Sequence, residues 1–392
     1  MDTFYRTYFY LIEHVGNPVR RLLMDEIDWN SRLIGIKGSR GIGKTTFLLQ
    51  FARERFGLGD RTCLYVNMNN FYFADHTITD FARKFYMDGG RTLLVDQVFK
   101  YPDWSRDLRE CYELFPELRI VFTNSSVMQL EDYPELEGIC NLYHLRGFSF
   151  REFLNIETGH SFHTYTLRDI LANHKVIAET VLRNVDPMKS FEDYLHHGFY
   201  PFYLEKRNFS ENLVKTMNMM IEVDILLIKQ IELKYLSKIK KLLYLIAVDG
   251  TVAPNVSQLA KEIDTSRATV MNYIKYLAEA RLINMIYPEG KDFPKKPSKL
   301  LMHNSNLMYA VYPLKFDEKD VSNTFFVNAM YKGHDVYVDS KSQGIVVDSG
   351  LRFRISELPD APAGEHGVYH VVRHLQKGDD KHIPLWLFGF LY

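Results

Sequence analysis

Cysteine is scarce in this sequence: Cys63, Cys111 and Cys140 are the three in a chain of 392 residues. Their spacing matches no thiolate metal motif. So few thiols exclude a disulfide-built scaffold and point to a reducing compartment. No apolar run approaches the roughly 20 residues that a helix needs to span a bilayer. The opening residues lack the layout of a signal peptide, so a cytoplasmic protein without membrane contact is expected. An excess of one charge is missing too. The 48 Lys and Arg against 49 Asp and Glu leave a net charge of −1. Nucleic-acid binding therefore has to come from a local basic patch. The paired His196 and His197 also lack metal-ligand spacing.

What is present is a folded chain with 46% hydrophobic and 14% aromatic residues, long enough for roughly two to four domains. Its most specific motif is Gly38-Ser39-Arg40-Gly41-Ile42-Gly43-Lys44-Thr45-Thr46, which has the spacing of a phosphate-binding loop. Glycines at Gly38, Gly41 and Gly43 let backbone N–H groups around Ile42 turn inward on phosphate oxygens. The N-terminus of the next helix, at Thr46, adds its positive end. Lys44 reaches the β- and γ-phosphates and the Thr45 hydroxyl ligates Mg²⁺. An apolar strand pattern at 32–36 and a helical pattern at 46–52 supply the strand–loop–helix order that the motif requires.

Further strands are expected at 62–67, 91–96 and 118–123, separated by helices at 78–87 and 105–114. Continuous apolar strands alternating with helices imply a parallel sheet covered on both faces. Asp96 closes the 91–96 strand and is the second Mg²⁺ anchor, although an acid there can also simply cap its strand. Gln97 follows, where hydrolysing enzymes of this kind have Glu. A glutamine can position water but cannot take its proton, and a positioned base contributes roughly two to four orders of magnitude. Thr123 and Asn124 are candidate γ-phosphate sensors at the carboxyl end of their strand, or turn formers. Residues 1–30 read as a helix pair, and 149–234 as helical throughout.

Helices at 237–247, 256–263 and 267–280, a turn at Asp264-Thr265-Ser266 and a strand at 282–286 read as a winged helix-turn-helix. Arg267, Thr269, Asn272 and Lys275 could face a major groove, with Lys291, Lys295, Lys296 and Lys299 on the wing. The remainder mixes strands (336–338, 344–347, 351–355 and 383–391) with a helix at 324–331.

Lys44, Asp96, the run Leu93–Ser126, and the runs Leu145–Leu154 and Phe191–Glu205 resemble a widespread family of prokaryotic AAA-type ATPases. The ending Ile383–Tyr392 is similar to the Bacteroidetes branch. The resemblance implies an α/β fold. A RecA-like P-loop NTPase core (1–155) would be followed by a helical lid (156–235), a winged helix-turn-helix (236–312) and a small α/β restriction-endonuclease-like domain (313–392). It also implies ATP or ADP with Mg²⁺ as cofactors.

This sequence departs from the family pattern in three places. Asp96-Gln97 stands where the family has Asp-Glu. Glu137-Gly138-Ile139-Cys140 stands where the family carries an arginine-rich stretch suited to act as a finger, leaving Arg146 and Arg151 nearby. In the C-terminal domain Asn323, Gly344 and Arg354 stand where a nuclease of the PD-(D/E)XK superfamily holds its metal, with Asp348 and Glu357 as nearby loop acids. The expectation is an ATP-binding conformational switch with weak or absent hydrolysis and no nuclease activity, its C-terminal domain available to a protein partner. An active ATPase with a non-standard base and finger, or a DNA-binding regulator with structural nucleotide, remain the alternatives.

Overall fold

Apolar runs separated by amphipathic helices build the first part of the chain, as seen in a computed structural model describing residues 1–16, 18–250, 253–312, 317–339, 344–348, 350–359 and 367–392. In chain order these elements are α1 (Asp2–His14), α2 (Leu23–Glu26), β1 (Leu33–Gly38), α3 (Lys44–Arg55), β2 (Cys63–Asn67), α4 (Ile78–Met87), β3 (Thr92–Asp96), α5 (Trp104–Leu114), β4 (Arg119–Ser125) and β5 (Asn141–His144). The strands form one sheet in the order β2-β3-β4-β1-β5, and every pairing is parallel. Every residue of β1 and β3 is buried. That burial explains why these strands read as continuous apolar runs rather than alternating ones.

Strand β5 was not expected from the sequence. Its four residues are half-buried or exposed and it pairs only along β1 at the sheet edge, so it lacks the apolar signature of the inner strands. The second helix of the N-terminal pair shrinks to the four residues of α2, since Gly16 and Pro18 interrupt the apolar pattern. Helix α3 is buried from Phe47 to Ala52. The indole of Trp29 stacks on Phe51 at 3.9 Å between centroids. Arg53 and Gln50 donate to the carbonyls of Val15 and Gly16, at 2.6 and 2.9 Å, fixing the chain that leaves α1.

The chain divides into two compact units, Met1–Arg146 and Gly147–Tyr392. The stretches expected as lid, three-helix segment and C-terminal domain thus fall together in the second. Its helices are α6 (Phe150–Thr158), α7 (Leu167–Leu182), α8 (Pro187–Asp193), α9 (Phe209–Met219), α10 (Leu236–Asp249), α11 (Val256–Glu262) and α12 (Arg267–Glu279). Ser149 and Glu152 cap α6 reciprocally. An antiparallel hairpin follows, β6 (Ile283–Ile286) with β7 (Lys299–Met302). Then come α13 (Ser305–Val311), α14 (Glu318–Met330), β8 (Val336–Val338), β9 (Ile345–Val347), β10 (Leu351–Ser356), β11 (Val368–Val372) and β12 (His382–Pro384). These last five strands form a mixed sheet in the order β12-β11-β10-β9-β8.

Two expectations in this unit need correction. The strand expected over 383–391 is β12 followed by a 3-10 helix, Leu385–Phe390. Pro384 offers no N–H to continue the ladder. All six helical residues are buried, so their apolar run carries no period that separates strand from helix. Helix α14 begins six residues before the expected Thr324, at Glu318, capped by the Asp317 side chain on the Lys319 N–H. It is buried continuously from Val321 to Met330, which leaves no amphipathic stripe to read. The boundary placed before residue 313 adjoins residues 313–316, which lie outside the described ones. No described helix is long and apolar enough to cross a membrane.

A side chain at Gly35, in the centre of β1, would press on its neighbours. A Cβ there would lie 2.7 Å from Leu142 Cδ1 and 2.8 Å from the Phe122 ring. We therefore expect Gly35→Ala to destabilise the protein by about 1–3 kcal/mol, read as a lower urea midpoint. An unchanged midpoint would show that β1 is loosely packed.

Candidate nucleotide-binding site

The parallel order brings the carboxyl ends of β1, β2, β3 and β4 to one edge, with Gly38 opposite Ser125 and Asn67 opposite Asp96. The loop Gly38–Gly43 leaves β1 at that edge and enters α3. Gly41 and Gly43 have φ of 84° and 88°, the left-handed region that glycine adopts at little cost. A Cβ on Gly38 would meet Ile42 Cδ1 at 2.3 Å and the Leu145 carbonyl oxygen at 2.5 Å. Three of the motif glycines thus have a structural reason on this chain. The Lys44 ammonium folds into the loop, donating to the carbonyls of Gly38 and Ser39 at 2.7 and 2.8 Å.

Asp96 is fully buried and its carboxylate gathers the site. Oδ2 accepts from the Thr45 hydroxyl at 2.7 Å, the Tyr65 hydroxyl at 2.8 Å and Asn67 Nδ2 at 3.2 Å. Oδ1 accepts from the Thr123 hydroxyl. Burial, and next the Asp96 charge, push the Tyr65 phenol well above its usual range, so it stays a donor at any physiological pH. Tyr65 and Asn67 were missed from sequence. They stand two residues apart on β2, hence on one face, but only the β2–β3 register reveals that this face meets Asp96.

Gln97 occupies a left-handed backbone conformation, φ 59° and ψ 47°, which costs a residue with a side chain roughly 1–3 kcal/mol. It is held there by its own N–H donating to Thr123 Oγ1 at 2.8 Å. Its side-chain carbonyl accepts from Asn69 Nδ2 at 3.1 Å, another partner that sequence reading did not find. Thr123, one of the two sensor candidates, is thus engaged with both Asp96 and Gln97. Asn124, the other, is buried beside it and accepts from the Ser125 N–H at 2.8 Å. Arg21, also unforeseen, is buried and donates to the Ile42 carbonyl at 3.4 Å and the Arg146 carbonyl at 2.7 Å.

These residues fit a magnesium nucleotide. A glycine loop with no room for a Cβ at Gly38 and an ammonium within it suit phosphate. A hydroxyl in contact with a carboxylate supplies the hard oxygens that Mg²⁺ takes, with water completing its shell. Thr45 and Asp96 would hold the metal. Gly38, Gly41, Ile42, Gly43, Lys44 and Thr46 would surround the phosphates.

The other candidates lie in the second unit. Arg267 and Asn272 are exposed on α12, while Thr269 is tied to its cap, Oγ1 lying 2.9 Å from Ser266 Oγ. Lys275 is turned toward Glu279 at 3.7 Å and the Phe293 ring at 4.9 Å. Lys291, Lys295 and Lys296 are exposed on the β6–β7 loop. Lys299 instead sits half-buried in β7, where burial lowers its pKa. Arg151 is buried and donates to the carbonyls of Tyr392 and Phe162 at 3.0 and 3.2 Å. Arg354 is exposed on β10, Asn323 is buried on α14, and Asp348 is paired with His334 at 2.6 Å.

A parallel five-stranded sheet with a phosphate loop at its carboxyl edge is consistent with a RecA-like nucleotide-binding core. Residues 30–154 match a family model described as an AAA domain, which implies nucleotide binding, usually with Mg²⁺. Residues 188–319 match one described as a domain of unknown function. An uncharacterized protein of Methanocaldococcus jannaschii is 27% identical over 272 residues, 66% of this chain. The chain spans 57% of that relative's length. The structure of C. elegans PCH-2 aligns with a TM-score of 0.23 and 14% identity, over 39% of this chain and 44% of that one, a likeness too slight to carry any argument.

Thr123→Val removes a donor from Asp96 and the acceptor of the Gln97 N–H. Leaving such buried groups unmatched costs about 1–3 kcal/mol, so urea unfolding should show a loss of that order. A loss under a few tenths would mean the hydroxyl is dispensable.

Proposed function

We propose that this protein is an AAA-type ATP-binding protein whose nucleotide acts chiefly as a conformational switch, with slow or absent hydrolysis. The observation that carries this reading is the pairing of an intact cradle, Thr45 on Asp96 at 2.7 Å, with Gln97 at the position of the base. The loop amides and Lys44 bind the phosphates, while Thr45 and Asp96 orient the metal. Bound Mg²⁺ neutralises phosphate charge and fixes the phosphate oxygens. Gln97 can donate and accept hydrogen bonds but has no basic site to take a proton from water. Its carbonyl oxygen is moreover already engaged by Asn69.

The switch has a physical route within the first unit. Arg21 joins the carbonyl of Ile42, in the loop, to that of Arg146, the last residue of the unit. Rearrangement of the loop around phosphate would therefore alter a bond made where the chain passes into residues 147–392.

A second reading rests on α12 and the β6–β7 loop as a winged helix. Arg267, Asn272 and Lys296 line a cavity of about 340 Å³ between them, with Met271, Phe293 and Pro294. A basic, outward-facing pair of elements suits duplex DNA. Binding should weaken with salt and be lost in Arg267→Ala/Lys296→Ala; duplex binding unaffected by these changes would remove this reading.

The leading reading is tested by Mg·ATP binding and steady-state phosphate release, with Lys44→Ala as the blank. Wild type should bind below millimolar concentration and turn over little above the blank. Gln97→Glu should raise turnover roughly tenfold or more. Absence of binding defeats the proposal. Fast wild-type turnover defeats its switch component, and an unresponsive Gln97→Glu shows that something other than the base limits hydrolysis.

A further inference from the structure

Away from the nucleotide site, the second unit gathers one imidazole and two carboxylates from three separate elements. Glu318 opens α14, Glu357 follows β10, and His374 lies just beyond β11. One potential ligand atom from each lies within 4.8 Å of the others. His374 Nε2 is 3.0 Å from Glu318 Oε2 and 3.8 Å from Glu357 Oε2. Tetrahedral zinc, with bonds of about 2.0–2.1 Å, holds its ligand atoms roughly 3.3 Å apart. The two separations bracket that value, and the Glu318 and Glu357 oxygens lie within 4.8 Å of each other, so an ion could enter after shifts of up to roughly 1.5 Å.

Two observations beyond proximity favour an ion. Glu357 Oε1 accepts from the Ser322 hydroxyl at 3.0 Å, but its Oε2 is enclosed without a hydrogen-bond partner. An enclosed carboxylate oxygen lacking a donor is costly, and a cation would satisfy it. The neighbouring guanidinium does not. Arg373 is buried and already committed, with two prongs on Glu192 at 3.1 and 2.7 Å and a third on the Glu318 carbonyl at 3.1 Å. It approaches the Glu357 carboxylate only to 3.9 Å. One guanidinium among three carboxylates leaves a charge of about −2 for a divalent ion to balance.

The geometry points to a divalent transition-metal site, of the zinc type, with Glu318, Glu357 and His374 as protein ligands. An imidazole among carboxylates suits zinc and its neighbours better than Mg²⁺ or Ca²⁺, which take oxygen ligands. His374 and Glu318 lie toward solvent, so water can complete the coordination. The ion would pin the start of α14 to the ends of two strands of the C-terminal sheet. This site is distinct from the positions Asn323, Gly344 and Arg354, and it is independent of the nucleotide reading.

The test uses the full chain, stripped with chelator and titrated calorimetrically with ZnCl₂ in the absence of nucleotide. One equivalent should bind at roughly micromolar affinity or tighter, and thermal stability should rise with Zn²⁺ but not with Mg²⁺. His374→Gln and Glu318→Gln alter side chains that are 38% and 60% exposed, so both variants should fold. Each should weaken Zn²⁺ binding at least tenfold. Absence of binding, or undiminished binding in both ligand variants, would overturn the assignment.

Discussion

The buried carboxylate of Asp96 holds the first unit's site together. Enclosing a charge costs several kcal/mol unless hydrogen bonds replace its water. Here Thr45, Tyr65, Asn67 and Thr123 all donate to it. These donors come from the loop–helix junction and from two flanking strands, so satisfying one charge fixes the mutual positions of α3, β2, β3 and β4. The same bonds place Thr45 and Asp96 oxygens side by side, the arrangement a magnesium ion uses.

That constraint also determines what Gln97 can do. The residue after Asp96 lies in a left-handed conformation with its N–H bonded to Thr123. Its side chain is then steered toward Asn69. In the proposed reading, phosphate and metal binding would depend on the intact carboxylate cluster, while proton removal would fall to a side chain that lacks basicity. Binding and hydrolysis are separable in that reading, and Arg21 ties the loop at Ile42 to Arg146.

Local chemistry was legible in the sequence and register was not. Gly38, Gly41 and Gly43 announce their loop because close approach and positive φ demand glycine at those positions. β1 to β4 announce themselves because strands buried on both faces are continuous apolar runs. Edge strand β5, half-exposed over Asn141–His144, has no such signature. Leu385–Phe390 and α14 were misread for the opposite reason, since burial on every side erases the period that separates strand from helix. Spacing alone singled out Asp96 and Gln97 as candidates, but not Tyr65, Asn67 and Asn69, whose contacts with them exist only once β2 is laid beside β3. The cluster of Glu318, Glu357 and His374 likewise needs a helix, a sheet and two strand ends to bring it together.

The account rests on Thr45 and Asp96 forming a metal site that secures nucleotide in the loop. The most direct measurement is the affinity of the wild-type chain for ATP with Mg²⁺ and with the metal chelated. Because the Asp96 carboxylate otherwise faces phosphate charge unscreened, the account predicts that Mg²⁺ tightens binding by roughly tenfold or more. Equal affinity in the two conditions would contradict it.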